Sequence, residues 1–99
     1  MSSNTKAELL FRKREGLTET AFVELVVWRV LEPVRGSAHA YKYSSALVSE
    51  GVCVLRYDNE AGKGDPKHVV DREVAYRFID LATLQTDFWN DVQMWRAGR

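Results

Sequence analysis

Residues 22–31 read FVELVVWRVL, and this stretch constrains the fold more than any other. It is rich in β-branched and aromatic side chains and apolar at both alternating sets of positions, with Glu24 and Arg29 as the exceptions. A helix would waste that composition, because β-branched residues lose rotamer freedom there. The pattern predicts a strand covered on both sides and central in a sheet, stopped by Pro33.

The neighbouring segments extend the sheet. Residues 41–49 (YKYSSALVS) and 52–58 (VCVLRYD) flank Glu50 and Gly51, a two-residue link with the glycine that a positive φ needs, and read as a hairpin. Residues 69–70 and 74–78 around Asp71, Arg72 and Glu73 suggest a second hairpin or a continuation of the sheet. The first segment is ambiguous. Thr5 and Glu8 resemble a capping box that would start a helix ending near Gly16, whereas the alternation of Leu9 and Phe11 with Leu10 and Arg12 favours a strand.

At the C-terminus the period changes. Leu81, Leu84, Phe88, Val92 and Trp95 recur every three or four residues behind Asp80, a candidate N-cap. An amphipathic helix of about fifteen residues follows, with Asp87, Asn90, Asp91 and Arg96 expected to face water. The resulting fold class is α+β: an antiparallel sheet of four to six strands with the C-terminal helix packed on one face. With 99 residues and 45% hydrophobic side chains, one domain over residues 1–99 is expected.

Charge and cysteine narrow the function classes. Lys and Arg number 14, Asp and Glu 14, split almost evenly between the halves, so a polyanion would have to be met by a local patch. Cys53 is the only cysteine, which excludes an intramolecular disulfide, and its apolar surroundings predict a buried core thiol. No signal-peptide core and no apolar run of about 20 residues is present, so a soluble cytoplasmic protein without membrane contact is expected. Trp89, Trp95 and Val27 exceed core needs and point to an exposed patch for another protein or a second copy, with core packing as the alternative.

One stretch fits neither period: residues 59–67 (NEAGKGDPK). Gly62 and Gly64 let backbone N–H groups approach an anion, and Lys63 and Lys67 supply compact positive charge, a combination suited to a phosphate diester. The spacing is not that of a P-loop, and a solvated hairpin loop is the alternative. His68 closes the stretch and His39 precedes the hairpin, each able to move protons near neutral pH or simply to hydrogen-bond. Asp58 and Asp65 could orient a histidine or lysine, Lys42, Arg56 and Asn59 could contact phosphate, and Tyr43 could stack on a base. Tyr41 and Tyr43 fall on one face of their strand and Lys42 on the other. His39, Asp58, Asp65 and His68 lack the spacing of a metal motif, and neither a metal nor another cofactor is expected.

Together, residues 7–12, 22–33 (FVELVVWRVLEP), 39–43 (HAYKY), 46–48, 56–68 (RYDNEAGKGDPKH), 76–78 and 87–92 (DFWNDV) resemble the TumE-type toxins of bacterial type II toxin–antitoxin modules. The block YDN…GKGD…H is the most specific part. Members of that family often carry a further histidine where this chain has Pro66, which cannot exchange a proton. The resemblance implies a toxin with a helix-turn-helix antitoxin as partner.

Joined to the residues, it implies a metal-independent ribonuclease, an RNA-binding hydrolase. In that reading His68 or His39 is the base, with Lys63 and Asp58 also catalytic. Lys42, Tyr43, Arg56, Asn59, Gly62, Gly64, Asp65 and Lys67 bind the substrate. The alternative is a non-catalytic protein whose loop 58–68 grips a protein or nucleic acid.

Overall fold

A computed structural model describes residues 7–59, 64–70 and 72–98. Six strands, β1 (Ala7–Gly16), β2 (Ala21–Val30), β3 (Tyr41–Ser49), β4 (Val52–Asp58), β5 (Pro66–Val69) and β6 (Arg72–Ala75), precede one helix, α1 (Leu81–Ala97). The strands form a single sheet in the order β1-β2-β3-β4-β5-β6, each antiparallel to the next. The α+β expectation is met at the upper end of its strand range, and the first segment is a strand.

Local chemistry explains the turns and the cap. Glu50 (φ 53°) and Gly51 (φ 78°) both adopt left-handed backbone between β3 and β4, the turn that matches the twist of a two-residue hairpin. Asp80 caps α1 by accepting the Thr83 N–H at 2.7 Å. That bond holds its carboxyl below the usual carboxylate range.

The core lies between one sheet face and α1. Val23, Leu25, Val27, Tyr43, Leu47, Leu55 and Tyr57 on the sheet meet Leu84, Phe88 and Val92 of the helix, all buried. Only one face is covered in this way. On β2, Ala21, Val23, Leu25 and Val27 are buried, while Phe22, Val26 and Trp28 on the far side are half-buried and Glu24 is exposed. The expectation of a strand covered on both sides is therefore corrected. Flat side chains from neighbouring strands shield the far face, as where the Arg14 guanidinium lies 4.0 Å over the Phe22 ring.

Cys53 is also corrected, since it is exposed. Leu47 opposes Leu55 but Val48 opposes Cys53, so Val54 is an extra residue, a β-bulge. The inserted residue reverses the alternation and sends Cys53 to the far face. Val27 is core, and Trp89 and Trp95 pack against the core, so these three form no exposed patch.

Candidate functional site

Asp65 is a hub on the helix side of the sheet. Its Oδ1 accepts from Ser37 Oγ at 2.8 Å, and its Oδ2 accepts from the Tyr43 hydroxyl at 2.7 Å and meets His39 Nε2 at 2.7 Å. The Tyr41 N–H donates to His39 Nδ1 at 3.2 Å, which requires a bare Nδ1 and places the ring proton on Nε2, facing Asp65. Phe78 stacks on the His39 ring with centroids 3.8 Å apart. Both nitrogens of His39 are thus engaged inside the protein. Burial, then the bond to Asp65, push the Tyr43 phenol far above its ordinary value.

Asn59 completes this network. Fully buried, it accepts the Tyr43 N–H at 3.0 Å and donates to Tyr41 O at 2.7 Å and to Ser37 Oγ at 3.4 Å. Gly64 has φ 75°, and a Cβ there would stand 3.2 Å from Gly36 O. Asn59 and Asp65 thus both bond to Ser37 in the connection before β3. Gly62 and Lys63, expected at the centre of the site, lie outside the described residues.

A second polar cluster joins sheet and helix. Tyr57 OH donates to Asp91 Oδ2 at 2.5 Å, Lys67 Nζ lies 3.0 Å from the same oxygen, and Tyr76 OH donates to Asp87 Oδ2 at 2.7 Å. Burial and these carboxylates raise the phenols of Tyr57 and Tyr76. Asp87 and Asp91 are thus half-buried partners of the sheet, a correction to their expected place in water. Their four-residue spacing beside Phe88 puts both on one helix face, which was the available signal.

The far face carries a third group. Arg56 and Asp58 point away from α1, because Leu55 and Tyr57, which alternate with them along β4, point into the core, and His68 pairs with Arg56 in register. Arg56 Nε lies 3.3 Å from Asp58 Oδ2. His68 Nε2 is buried and has no hydrogen-bond partner among the described residues. Lys42, opposite Trp28, shares this face, whereas Lys67, opposite Tyr57, faces the helix. The sheet thus separates the expected residues: His39, Tyr43, Asp65 and Lys67 on one side, and Lys42, Arg56, Asp58 and His68 on the other.

The family model of toxin TumE matches residues 3–96, nearly the whole chain. The chain belongs to the TumE family. Comparison with curated proteins and with solved structures returned no match. As a TumE-family member the protein is a toxin, and such a family suggests an antitoxin partner. No helix among the described residues is long and apolar enough to cross a membrane. The residues that carried the family resemblance divide in the TumE chain between the network around Ser37 and Gly36, with Asn59, Gly64 and Asp65, and the far face, with Asp58 and His68.

Proposed function

We propose that this toxin is a ribonuclease that cleaves RNA by attack of a 2′-hydroxyl on the adjacent phosphorus, working on the far face at Arg56, Asp58 and His68. The observation that carries the reading is His68 Nε2, a buried nitrogen with no hydrogen-bond partner among the described residues, beside an Arg–Asp pair. An unsatisfied buried polar atom costs about 1–3 kcal/mol, and functional sites are where such a cost persists. His68 Nε2 takes the 2′-hydroxyl proton, the 2′-O–P bond forms, and the bond from phosphorus to the 5′-oxygen breaks. Arg56, oriented by Asp58, and Lys42 hold the charge that grows on the phosphoryl oxygens. Lys63 returns a proton to the departing 5′-oxygen, and the Gly62 N–H lies in the same segment. Neither metal nor cofactor enters this scheme. A helix-turn-helix antitoxin neutralises the toxin in the cytoplasm.

The test is cleavage of RNA by purified protein in chelator, with His68→Ala, Arg56→Ala and Lys63→Ala beside the parent. His68→Ala is expected to lose about 10²–10⁴-fold in rate. A parent without cleavage, or three variants as active as the parent, sinks the mechanism. The engagement of both His39 nitrogens favours a second reading, in which segment 58–68 grips a partner without cutting it. RNA affinity separates the two, because binding through several phosphates weakens steeply with salt, whereas a protein grip responds little.

A further inference from the structure

The far face of the sheet carries two large aromatic rings on β2, Phe22 and Trp28, and only one of them is covered. The Arg14 guanidinium lies 4.0 Å over the Phe22 ring and is itself paired with Glu24 at 3.9 Å. Trp28 is half-buried and has no ring or cation stacked on it among the described residues. Leu9 opposes Trp28 and Arg12 opposes Val26, so both belong to the far face on either side of the inserted Leu10. Register thus surrounds the Trp28 ring with Leu9 and Arg12 on β1, Val26 and Val30 on β2, and Lys42 and Ser44 on β3. Arg12 and Lys42 are exposed, and neither has an ion pair among the described residues. In a chain of zero net charge this neighbourhood therefore holds two uncompensated cations and no carboxylate.

Ring, charge and position select the occupant together. Lys42 on β3 lies between Trp28 on β2 and the Arg56–Asp58 pair on β4. Trp28 stands three strands from His68, about 14 Å across the sheet at ~4.8 Å per strand. That is too far for the base at the cut and suits a nucleotide further along the same strand. An unpaired base offers a π-face to the ring and its phosphates offer negative charge to Arg12 and Lys42. An acidic protein segment would satisfy the cations and leave the ring without a matching group, and an RNA duplex keeps its bases stacked on one another.

We propose that Trp28, flanked by Arg12 and Lys42, is a stacking subsite for an unpaired base of single-stranded RNA that runs over the far face from the cut at His68. The inference rests on the ribonuclease reading, which places the cut on this face, and adds the substrate class. Every base has a π-face, so the subsite selects unpaired over paired RNA and does little to select sequence. Trp28 and Arg12 take no part in the proposed cleavage step.

The probe is a fluorescein-labelled single-stranded RNA of mixed sequence, about twelve nucleotides long, with every 2′-oxygen methylated so that it binds but cannot be cut. Fluorescence anisotropy with the whole chain gives the affinity. Trp28→Leu keeps an apolar side chain without a ring and should bind about 5–150-fold more weakly than the parent, whereas Trp28→Phe keeps a ring and should lose little. Both should show the parent's circular dichroism spectrum. Arg12→Ala should lower the slope of log affinity against log salt by about 0.7, the share of one phosphate on a single strand. Binding should quench tryptophan emission in the parent and not in Trp28→Phe, because Trp89 and Trp95 pack against the core. A folded Trp28→Leu that binds like the parent overturns the subsite, as does equal affinity for the same strand annealed to its complement. A parent that does not bind the strand also overturns it and leaves the cations to an acidic protein. A parent that binds the methylated strand through Trp28 but leaves the unmethylated one intact upholds the subsite and overturns the ribonuclease reading. A parent that cuts, with Trp28→Leu binding equally well, does the reverse.

Discussion

Replacing Asp65 by alanine removes the acceptor on which Ser37, His39 and Tyr43 converge, and the structure sets the size of the loss. The Asp65 side chain is 10% exposed and that of His39 is 12%, while Tyr43 as a whole is 2% exposed, so water replaces the lost bonds poorly. A hydrogen bond to a charged group contributes about 1.5–3 kcal/mol, and a buried donor left unsatisfied costs a similar amount. The three bonds share one carboxylate and do not add fully, so the total is about 3–5 kcal/mol. Against a stability of about 5–15 kcal/mol for a domain of this size, that is a large fraction.

Urea unfolding followed by tryptophan fluorescence measures it. With a slope of about 1–1.5 kcal/mol per molar, the midpoint falls by about 2–5 M. Asp65→Asn keeps a carbonyl acceptor but no charge and should lose about half as much. Tyr43→Phe combined with Asp65→Ala should cost less than the two singles summed, because they break the same bond. Spectroscopic titration gives a second readout. In Asp65→Ala the Tyr43 phenol should ionise at lower pH than in the parent yet still above its ordinary value, since burial is the larger cause of its shift. A loss below about 1 kcal/mol, or strict additivity with Tyr43→Phe, would refute the hub.

Asp91→Ala leaves the Lys67 ammonium and the Tyr57 hydroxyl without their shared carboxylate and should cost about 2–3 kcal/mol in the same urea assay. Gly64→Ala meets both a positive φ and the Gly36 carbonyl and should lose about 1–3 kcal/mol, whereas Gly51→Ala, with open space around it, should lose only about 1 kcal/mol. Alkaline pH tests the buried phenols. Tyr43 and Tyr57 are raised in the folded state, so their contribution is complete below about pH 10 and is lost as pH rises above it. Each costs about 1.4 kcal/mol per pH unit there, and tyrosinate absorbance should appear together with unfolding rather than before it. Asp80, lowered in the folded state, acts at the other end: its contribution is complete above about pH 4 and is lost on further acidification, visible as helix loss by circular dichroism.

The elements of the fold were legible because each is locally consistent. The two-residue link at Glu50 and Gly51, the period of Leu84, Phe88 and Val92, and the cap at Asp80 all act within a few residues of themselves. What escaped depends on contacts far apart in the chain or on a single inserted residue. Val54 illustrates the second case, since one bulged residue turned Cys53 outward although its surroundings read as core. Asp87 and Asp91 illustrate the first. Carboxylates on a helix normally face water, and only the tertiary meeting with Tyr76 and Tyr57 makes half-buried positions favourable for them. Pro66 shows why the site was harder still. It is buried in β5, one residue after the hub, so it also belongs to the frame that sets where Asp65 and His68 point.

That frame fits balanced charge together with the proposed phosphate chemistry in one small chain. Strand alternation assigns Asp65 and Lys67 to the helix side and His68 to the far side, although they are neighbours in sequence. On the helix side the charged groups are consumed internally, Asp65 by three donors and Asp91 by Lys67 and Tyr57. On the far side the Arg56–Asp58 pair lies beside a histidine nitrogen with no hydrogen-bond partner among the described residues. The proposed chemistry therefore meets the helix-side network through the strand that carries both Lys67 and His68. Asp65→Asn should thus lower activity and stability together, while His68→Ala should lower activity and leave the urea midpoint within about 0.5 M of the parent. If His68→Ala instead unfolds the protein while Asp65→Asn spares both properties, the division of labour between the two faces is wrong.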